Sequence, residues 1–199
     1  MPVYGLVSFE EAAALERSLA RVAERFKGET LRILEIGVHD GRTSRGIRDY
    51  LSSLNVTNVE NWAIDIGLWA KEKPYPEMRM IWGDSAETFH LVPLNLHWVF
   101  VDGCHCINHA MADVAHFGRR LIQGGEMAVH DTFDKLPLFR DYQEHGPRDR
   151  PEFHILGTRM ALTELGLLPC VRQDYKLVEE VIYPQYDNRN GIITYEKLL

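Results

Sequence analysis

The stretch Leu31 to Ser44, LRILEIGVHDGRTS, limits what this chain can fold into more than any other. It opens on an apolar run, Leu31, Ile33, Leu34 and Ile36, of the kind a strand buried on both faces requires. Glu35 sits near the end of that run. Gly37 and Gly41 follow, then Thr43 and Ser44, and a helical pattern begins. A strand that ends in an acidic residue, a glycine turn and a helix start predicts a small-molecule site, because open α/β sheets bind ligands outside the carboxyl ends of their strands. The glycines allow a tight turn and a close approach of backbone to ligand. The third glycine of a dinucleotide fingerprint is missing. The alternative for this stretch alone is an ordinary glycine-rich strand–helix turn.

The rest of the chain repeats the strand–helix theme. Ser8 and Glu11 fit a capping box, and Leu15, Leu19, Val22 and Phe26 form one apolar stripe up to Gly28, so the first helix is expected to pack on a sheet. Ile47, Leu51 and Leu54 mark the inner face of a second helix, and Asn55 to Asn58 break it. Asn61 to Gly67 reads as a second strand ending at Asp65, a position that serves either as a turn former or as an acceptor for ribose hydroxyls. Gly67 to Glu77, with Trp69, Pro74, Tyr75 and Pro76, is a loop. A third strand lies in MRMIW and leads to Asp84 and Ser85, where Asp84 and Glu87 have capping-box spacing. Leu96 to Gly103 is a fourth strand that ends at Asp102. Ile107, Met111, Val114, Gly118 and Leu121 form a helical stripe, Gly124-Gly125 breaks the chain, and Glu126 to Asp131 is a fifth strand. Asp131 to Glu152, polar and holding Pro137, Pro147 and Pro151, is expected to be a lid or an acceptor-binding loop. Gly157 to Leu168 is helical. Tyr175 to Tyr186 and Ile192 to Lys197 are final strands, joined by a hairpin at Asn190-Gly191.

Strands alternating with helices predict an α/β protein: a doubly wound, mostly parallel, seven-stranded sheet with a C-terminal antiparallel hairpin. The length of 199 residues suits a single domain. Its parts are an N-terminal helix (1–28), a core (31–133), and a loop, helix and hairpin (134–199).

Glu35-x-Gly37-x-x-x-Gly41-x-Thr43 resembles the first motif of class I S-adenosylmethionine-dependent methyltransferases. VFVDGCHCINHAMADVAHFGRRLIQGGEMAVHD is similar to the macrocin-type and mycinamicin-type sugar O-methyltransferase branch, whose members have a strand ending Asp-Gly-x-His, a helix, a Gly-Gly turn and a strand ending in two acidic residues. The matching residues are Asp102-Gly103-Cys104-His105, Gly124-Gly125 and His130-Asp131. The resemblance covers roughly residues 30 to 133. It implies a Rossmann-like methyltransferase fold with S-adenosylmethionine held by Glu35, Gly37, Gly41, Thr43, Asp65, Asp84, Ser85 and Asp102. Asp65 would take the ribose and Asp84 would border the adenine.

It also implies O-methylation of a small hydroxylated acceptor such as a sugar. An alcohol must lose its proton to attack a sulfonium, which a divalent cation and a nearby base assist. Asp102, His130 and Asp131 are the expected metal residues, for magnesium or manganese, and His105 the expected catalytic base. At His130 the sequence departs from those relatives, which carry a carboxylate; an imidazole suits manganese, iron or zinc better than magnesium. Two alternatives stay open: a methyltransferase that works by proximity without metal, and a binding protein that keeps the cofactor fold without chemistry. Cys104, Cys106, His105, His109 and His116 do not read as a structural zinc site, because C-x-C has no second pair to complete it.

A net charge of −7 disfavours broad nucleic-acid binding. No apolar run is long enough for a membrane span, and MPVYGLVSFEEAAALE lacks the pattern of a signal peptide. Three cysteines read as reduced thiols in a cytoplasm. The acceptor pocket has no motif of its own, which leaves room for the partner subunit of a homodimer to complete it.

Overall fold

The computed structural model describes residues 7–67, 72–132, 138–139, 155–182 and 191–199, with the backbone alone at 138–139 and 155–156. Helix α1 (Phe9–Arg25) precedes strand β1 (Leu31–Ile36), helix α2 (Arg42–Ser53), strands β2 (Val59–Asp65) and β3 (Arg79–Trp82), the single turn α3 (Ser85–Thr88), β4 (Leu96–Val101), α4 (Ile107–Gly118) and β5 (Leu121–His130). The two-residue strands β6 (Leu138–Phe139) and β7 (Ile155–Leu156) pair with each other, and α5 (Thr158–Glu164), β8 (Tyr175–Val181) and β9 (Ile192–Lys197) follow.

The seven-stranded sheet has the order β3-β2-β1-β4-β5-β9-β8. The first five strands in that order are parallel; β9 runs antiparallel to β5 and β8 antiparallel to β9. The chain winds outward from β1 to β3, then returns to the other side of β1 with β4. The carboxyl ends of β1 and β4 therefore flank the switch point where doubly wound sheets bind ligands.

Alternation along the strands decides what each face receives. Leu34, Ile36, Val99, Val101, Met127 and Val129 enter one core layer with Val114 and Phe117 of α4 and Leu162 of α5. Leu31, Ile33, Trp98, Phe100 and Ala128 enter the other, against Leu15, Leu19 and Val22 of α1 and Ile47 and Leu51 of α2. Each such leucine withdraws enough apolar surface to contribute about 1.5–3 kcal/mol. The same parity carries Glu35, Asp102, Glu126 and His130 to the α1–α2 side, so these polar groups project there by register alone.

Helix α1 starts as its sequence dictates. The Ser8 hydroxyl accepts from the Glu11 amide at 3.2 Å and Glu11 Oε2 accepts from the Ser8 amide at 2.7 Å. Two of its side chains, Ser18 and Arg21, anchor its inner face to the sheet. Ser18 Oγ donates to Glu126 at 2.7 Å, Trp98 Nε1 donates to Ser18 Oγ at 2.9 Å, and Arg21 grips both oxygens of Glu126 at 2.9 Å. Glu126 is fully buried.

Several boundaries differ from expectation: β2 starts at Val59, ahead of Asn61, and β8 ends at Val181, short of the expected Tyr186. Gly124-Gly125 does not break the chain: β5 starts at Leu121 and runs through both glycines, with a bulge between the Leu96–Leu121 and Trp98–Glu126 pairs. Gly124 takes φ +79°, and a Cβ at Gly125 would meet the His97 and Ile122 carbonyl oxygens at 3.0 and 3.1 Å, so glycine here re-aims a strand rather than ending one. The helical stripe stops at Gly118, and Leu121 belongs to β5. α5 ends at Glu164, short of the expected Leu168. The expected hairpin turn at Asn190, most of the expected lid at Asp131 to Glu152, and Trp69 in the loop after β2 lie outside the described residues.

Candidate active site

The turn after β1 is built around two glycines in the left-handed region. Gly37 takes φ +84°, and a Cβ there would stand 2.1 Å from the Asp102 carbonyl oxygen. The loops after β1 and β4 are thus in backbone contact, tied by the Asp102 amide donating to the Ile36 carbonyl at 2.9 Å. Gly41, at φ +74°, packs under Pro74. Glu35 is buried, with one oxygen accepting from the Ser44 hydroxyl of α2 and Oε1 without a partner among the described residues. Burial pushes its carboxyl up to about 8 despite the Ser44 hydrogen bond, so the group is mostly protonated at neutral pH. Thr43, in the first turn of α2, is buried.

Asp65 organises this turn. Its Oδ2 accepts from the amides of Val38 at 2.8 Å and His39 at 3.1 Å, and its Oδ1 from that of Gly67 at 2.7 Å. Asp84 caps α3, its Oδ1 accepting from the Ala86 amide at 2.9 Å, and Ser85 is buried behind it.

The carboxyl ends of β4 and β5 hold a dense ionisable group. His130 Nδ1 stands 2.8 Å from Asp102 Oδ1 and 3.6 Å from Asp131 Oδ1. His105 Nδ1 is 2.9 Å from Asp131 Oδ2, and its Nε2 is 3.4 Å from Asp102 Oδ1. Asp131 adopts φ +53°, the left-handed conformation that aspartate tolerates better than most residues and that recurs at functional sites. Asp102, His105 and His130 offer ligand atoms within 4.8 Å of one another. Burial alone would lower both histidines. The carboxylates outweigh it: Asp131 and Asp102 hold His105 up at about 10, and His130 is raised well above its ordinary value. Asp102 is held below the ordinary carboxylate range by the same imidazoles, against its own desolvation.

One member of this group was not legible in the sequence. Glu11, read only as half of a capping box, is fully buried. Its Oε1 accepts from the Gly191 amide at 2.6 Å and lies 3.4 Å from His130 Nε2. A capping-box pattern is local and carries no signal for a contact with β5.

Residues 34–132 match the family model of a methyltransferase domain. The matched segment is about half of the chain and holds every expected site residue. Among solved structures, the O-methyltransferase NovP superposes with a TM-score of 0.66 at 14% identity, over 98% of this chain and 83% of its own. An rRNA methylase from Streptococcus thermophilus gives 0.59 at 13% identity, over 92% and 95%. The MycE methyltransferase of mycinamycin biosynthesis, in complex with Mg and SAH, gives 0.52 at 17% identity, over 89% of this chain and 48% of its own. At these identities the likeness establishes the fold. No curated protein matches the chain. The domain match and the fold together support S-adenosylmethionine-dependent methylation and an enzyme. No helix among the described residues is long and apolar enough to cross a membrane.

Proposed function

We propose that this chain is an S-adenosylmethionine-dependent O-methyltransferase acting on a small hydroxylated molecule, a sugar or similar metabolite, with assistance from a divalent metal. The observation that carries the reading is the Asp102, His105, His130 and Asp131 group, placed against the glycine turn at the sheet's switch point. The acceptor class is supported by the net charge of −7 and by the O-methyltransferases among the structural relatives.

The residues fit both groups. Glu35 keeps a buried oxygen without a partner among the described residues beside the turn, and Gly37, Gly41 and Thr43 belong to that turn. Asp65, Asp84, Ser85 and the Asp102 backbone border the same edge. Two carboxylates and an imidazole, Asp102, Asp131 and His130, make a donor set for a first-row divalent ion, with manganese favoured over magnesium by the nitrogen. The MycE complex holds Mg with SAH.

S-adenosylmethionine supplies a methyl group on a sulfonium, and a divalent cation lowers the pKa of the acceptor hydroxyl. The protein's part is to align and to move one proton. The contact between the Gly37 turn and the Asp102 loop fixes the cofactor edge relative to the β4 and β5 ends, so the reacting atoms meet without a further search. His105 keeps its Nδ1–H on Asp131 Oδ2, which leaves Nε2 to take the acceptor proton. That role requires the ring to be neutral. It would become so were a cation held by Asp102 and Asp131, since these carboxylates are what raise the ring.

The test is calorimetric titration of chelator-stripped protein with S-adenosylmethionine, with and without magnesium or manganese, followed by methylation assays on sugar and phenol acceptors. Metal-dependent turnover that is lost in Asp131→Ala is the expected result. Cofactor binding and turnover indifferent to metal would remove the metal from the reading, and absence of cofactor binding would overturn it.

A further inference from the structure

The start of α4 carries a second cluster that methyl transfer does not use. Cys106 is the N-cap of α4 and His109 occupies the N3 position, the spacing at which capping-box side chains face each other. Here the pair is a thiol and an imidazole. Cys106 Sγ stands 3.0 Å from His109 Nδ1, and the preceding Cys104 Sγ stands 2.8 Å from Cys106 Sγ. Cys106 is fully buried. On its far side, His109 Nε2 meets Asp84 Oδ2 at 3.3 Å.

We propose that Cys104, Cys106 and His109 form a site for a soft divalent metal of the zinc type, sharing no residue with the Asp102–Asp131 group, with Asp84 as the carboxylate that orients the histidine.

Three features carry this. First, the three ligand atoms converge within 4.8 Å of one another. A tetrahedral zinc would hold its two sulfurs roughly 3.7 Å apart, given Zn–S of about 2.3 Å. The thiols need to spread by about 1 Å, a displacement within reach of side-chain torsions. Second, metal-bound histidines donate their other ring N–H to a carboxylate, which fixes the tautomer. Asp84 stands where that partner belongs, 3.3 Å from Nε2, and would hold Nε2–H while Nδ1 turns to the metal. Third, the surroundings favour a cation. Asp113 lies one turn further along α4, fully buried beside Ser85, within electrostatic reach of His109 and Cys106. The sequence argued against a closed four-ligand zinc site because C-x-C has no second pair. Two thiolates and one imidazole instead make a three-ligand site whose fourth position is left for water or a small ligand.

The experiment uses the full chain, reduced and stripped with chelator, titrated with cobalt(II) alone. A thiolate-to-cobalt charge-transfer band in the near ultraviolet that saturates at one equivalent, and is displaced by zinc, is the expected result. The oxygen and nitrogen donors of the Asp102–Asp131 group give no such band, so success or failure here is read independently of methyl transfer. Cys104→Ser and His109→Ala should each abolish the band or weaken binding by more than a hundredfold. Asp84→Asn should weaken it about 10–100-fold, the usual effect of removing an outer carboxylate. His105→Ala should leave it intact. Thermal melts of each apo variant separate lost binding from lost folding, and Cys104, only half-buried, covers the case in which a Cys106 variant does not fold. Absence of the band in the reduced chain, or its survival in Cys104→Ser and His109→Ala, would overturn the proposal. A Cys104–Cys106 disulfide that, once reduced, yields protein without the band would do the same.

Discussion

Replacing Glu35 by glutamine should stabilise the protein, and by an amount that depends on pH. The carboxyl is buried, accepts one hydrogen bond from Ser44 and is raised from 4.5 to about 8. Between those two values the folded state holds a proton that the unfolded chain has released, so stability falls as pH rises through the window. The full contribution is present below pH 4.5 and is lost once the pH passes 8. One pH unit corresponds to about 1.4 kcal/mol, so the native protein forfeits about 3 kcal/mol at pH 7 and about 5 kcal/mol above pH 8, as order-of-magnitude values. Glutamine keeps a hydrogen-bonding partner for Ser44 and cannot ionise. The assay is urea unfolding of both proteins at pH 5, 6, 7 and 8, with the difference in unfolding free energy taken at each pH so that other titrations cancel. The difference should grow in favour of the variant by about 1.4 kcal/mol per unit from pH 5 to 8. Parallel profiles would refute the claim that Glu35 is protonated in the folded state. The same variant tests the site. If Glu35 Oε1 receives a hydrogen bond from the cofactor, S-adenosylmethionine should bind the variant more weakly while the fold becomes more stable.

Three further perturbations follow from the geometry. Gly37→Ala should cost more than about 3 kcal/mol in chemical denaturation, because the strained positive φ of a non-glycine residue adds to a Cβ 2.1 Å from the Asp102 carbonyl oxygen; a loss under 1 kcal/mol would contradict that contact. Glu126→Ala leaves Arg21 and Ser18 without their buried partner and should destabilise by about 3–5 kcal/mol, whereas the double variant Arg21→Met with Glu126→Leu should recover most of that in the same unfolding assay. Trp98→Ala removes a fully buried ring and the hydrogen bond to Ser18, and should cost about 3–5 kcal/mol measured by guanidinium unfolding.

The sheet was legible because it is written in local code. Buried parallel strands need continuous apolar runs, and Leu31–Ile36 and Leu96–Val101 supply them; the crossover rule then orders the strands. The candidate site residues were legible because ligands meet such sheets at strand ends, which places Glu35, Asp65, Asp102 and Asp131 along one edge. The Gly124-Gly125 bulge was misread because glycine pairs more often end elements than bend them, and only the register against β4 distinguishes the two. Neither Glu11 beside His130 nor Asp84 beside His109 was legible. Each joins elements far apart in sequence through the tips of long side chains, and no periodicity records such a meeting.

The Glu11 contact changes what α1 does. Glu11, Asp102 and Asp131 place three carboxylates around the imidazoles of His105 and His130 in a largely buried space. With both rings protonated the group carries one net negative charge; with both neutral it would carry three. Burial makes the second state costly, so the group must hold positive charge in some form. Two protons on the rings are one form of it, and the carboxylates favour that form by raising both histidines. A divalent cation is the other way to supply it, and ring nitrogens that bind a cation give up their protons. Glu11 shifts the balance between these forms without standing at the acceptor's place. Its carboxylate stabilises positive charge on His130 while its oxygens hold the Ser8 and Gly191 amides, which couples the first turn of α1 and the start of β9 to the end of β5. The helix that begins the fold is thereby built into the electrostatics of the candidate site, and α1 acts there as a support for His130 as well as a cover for the sheet.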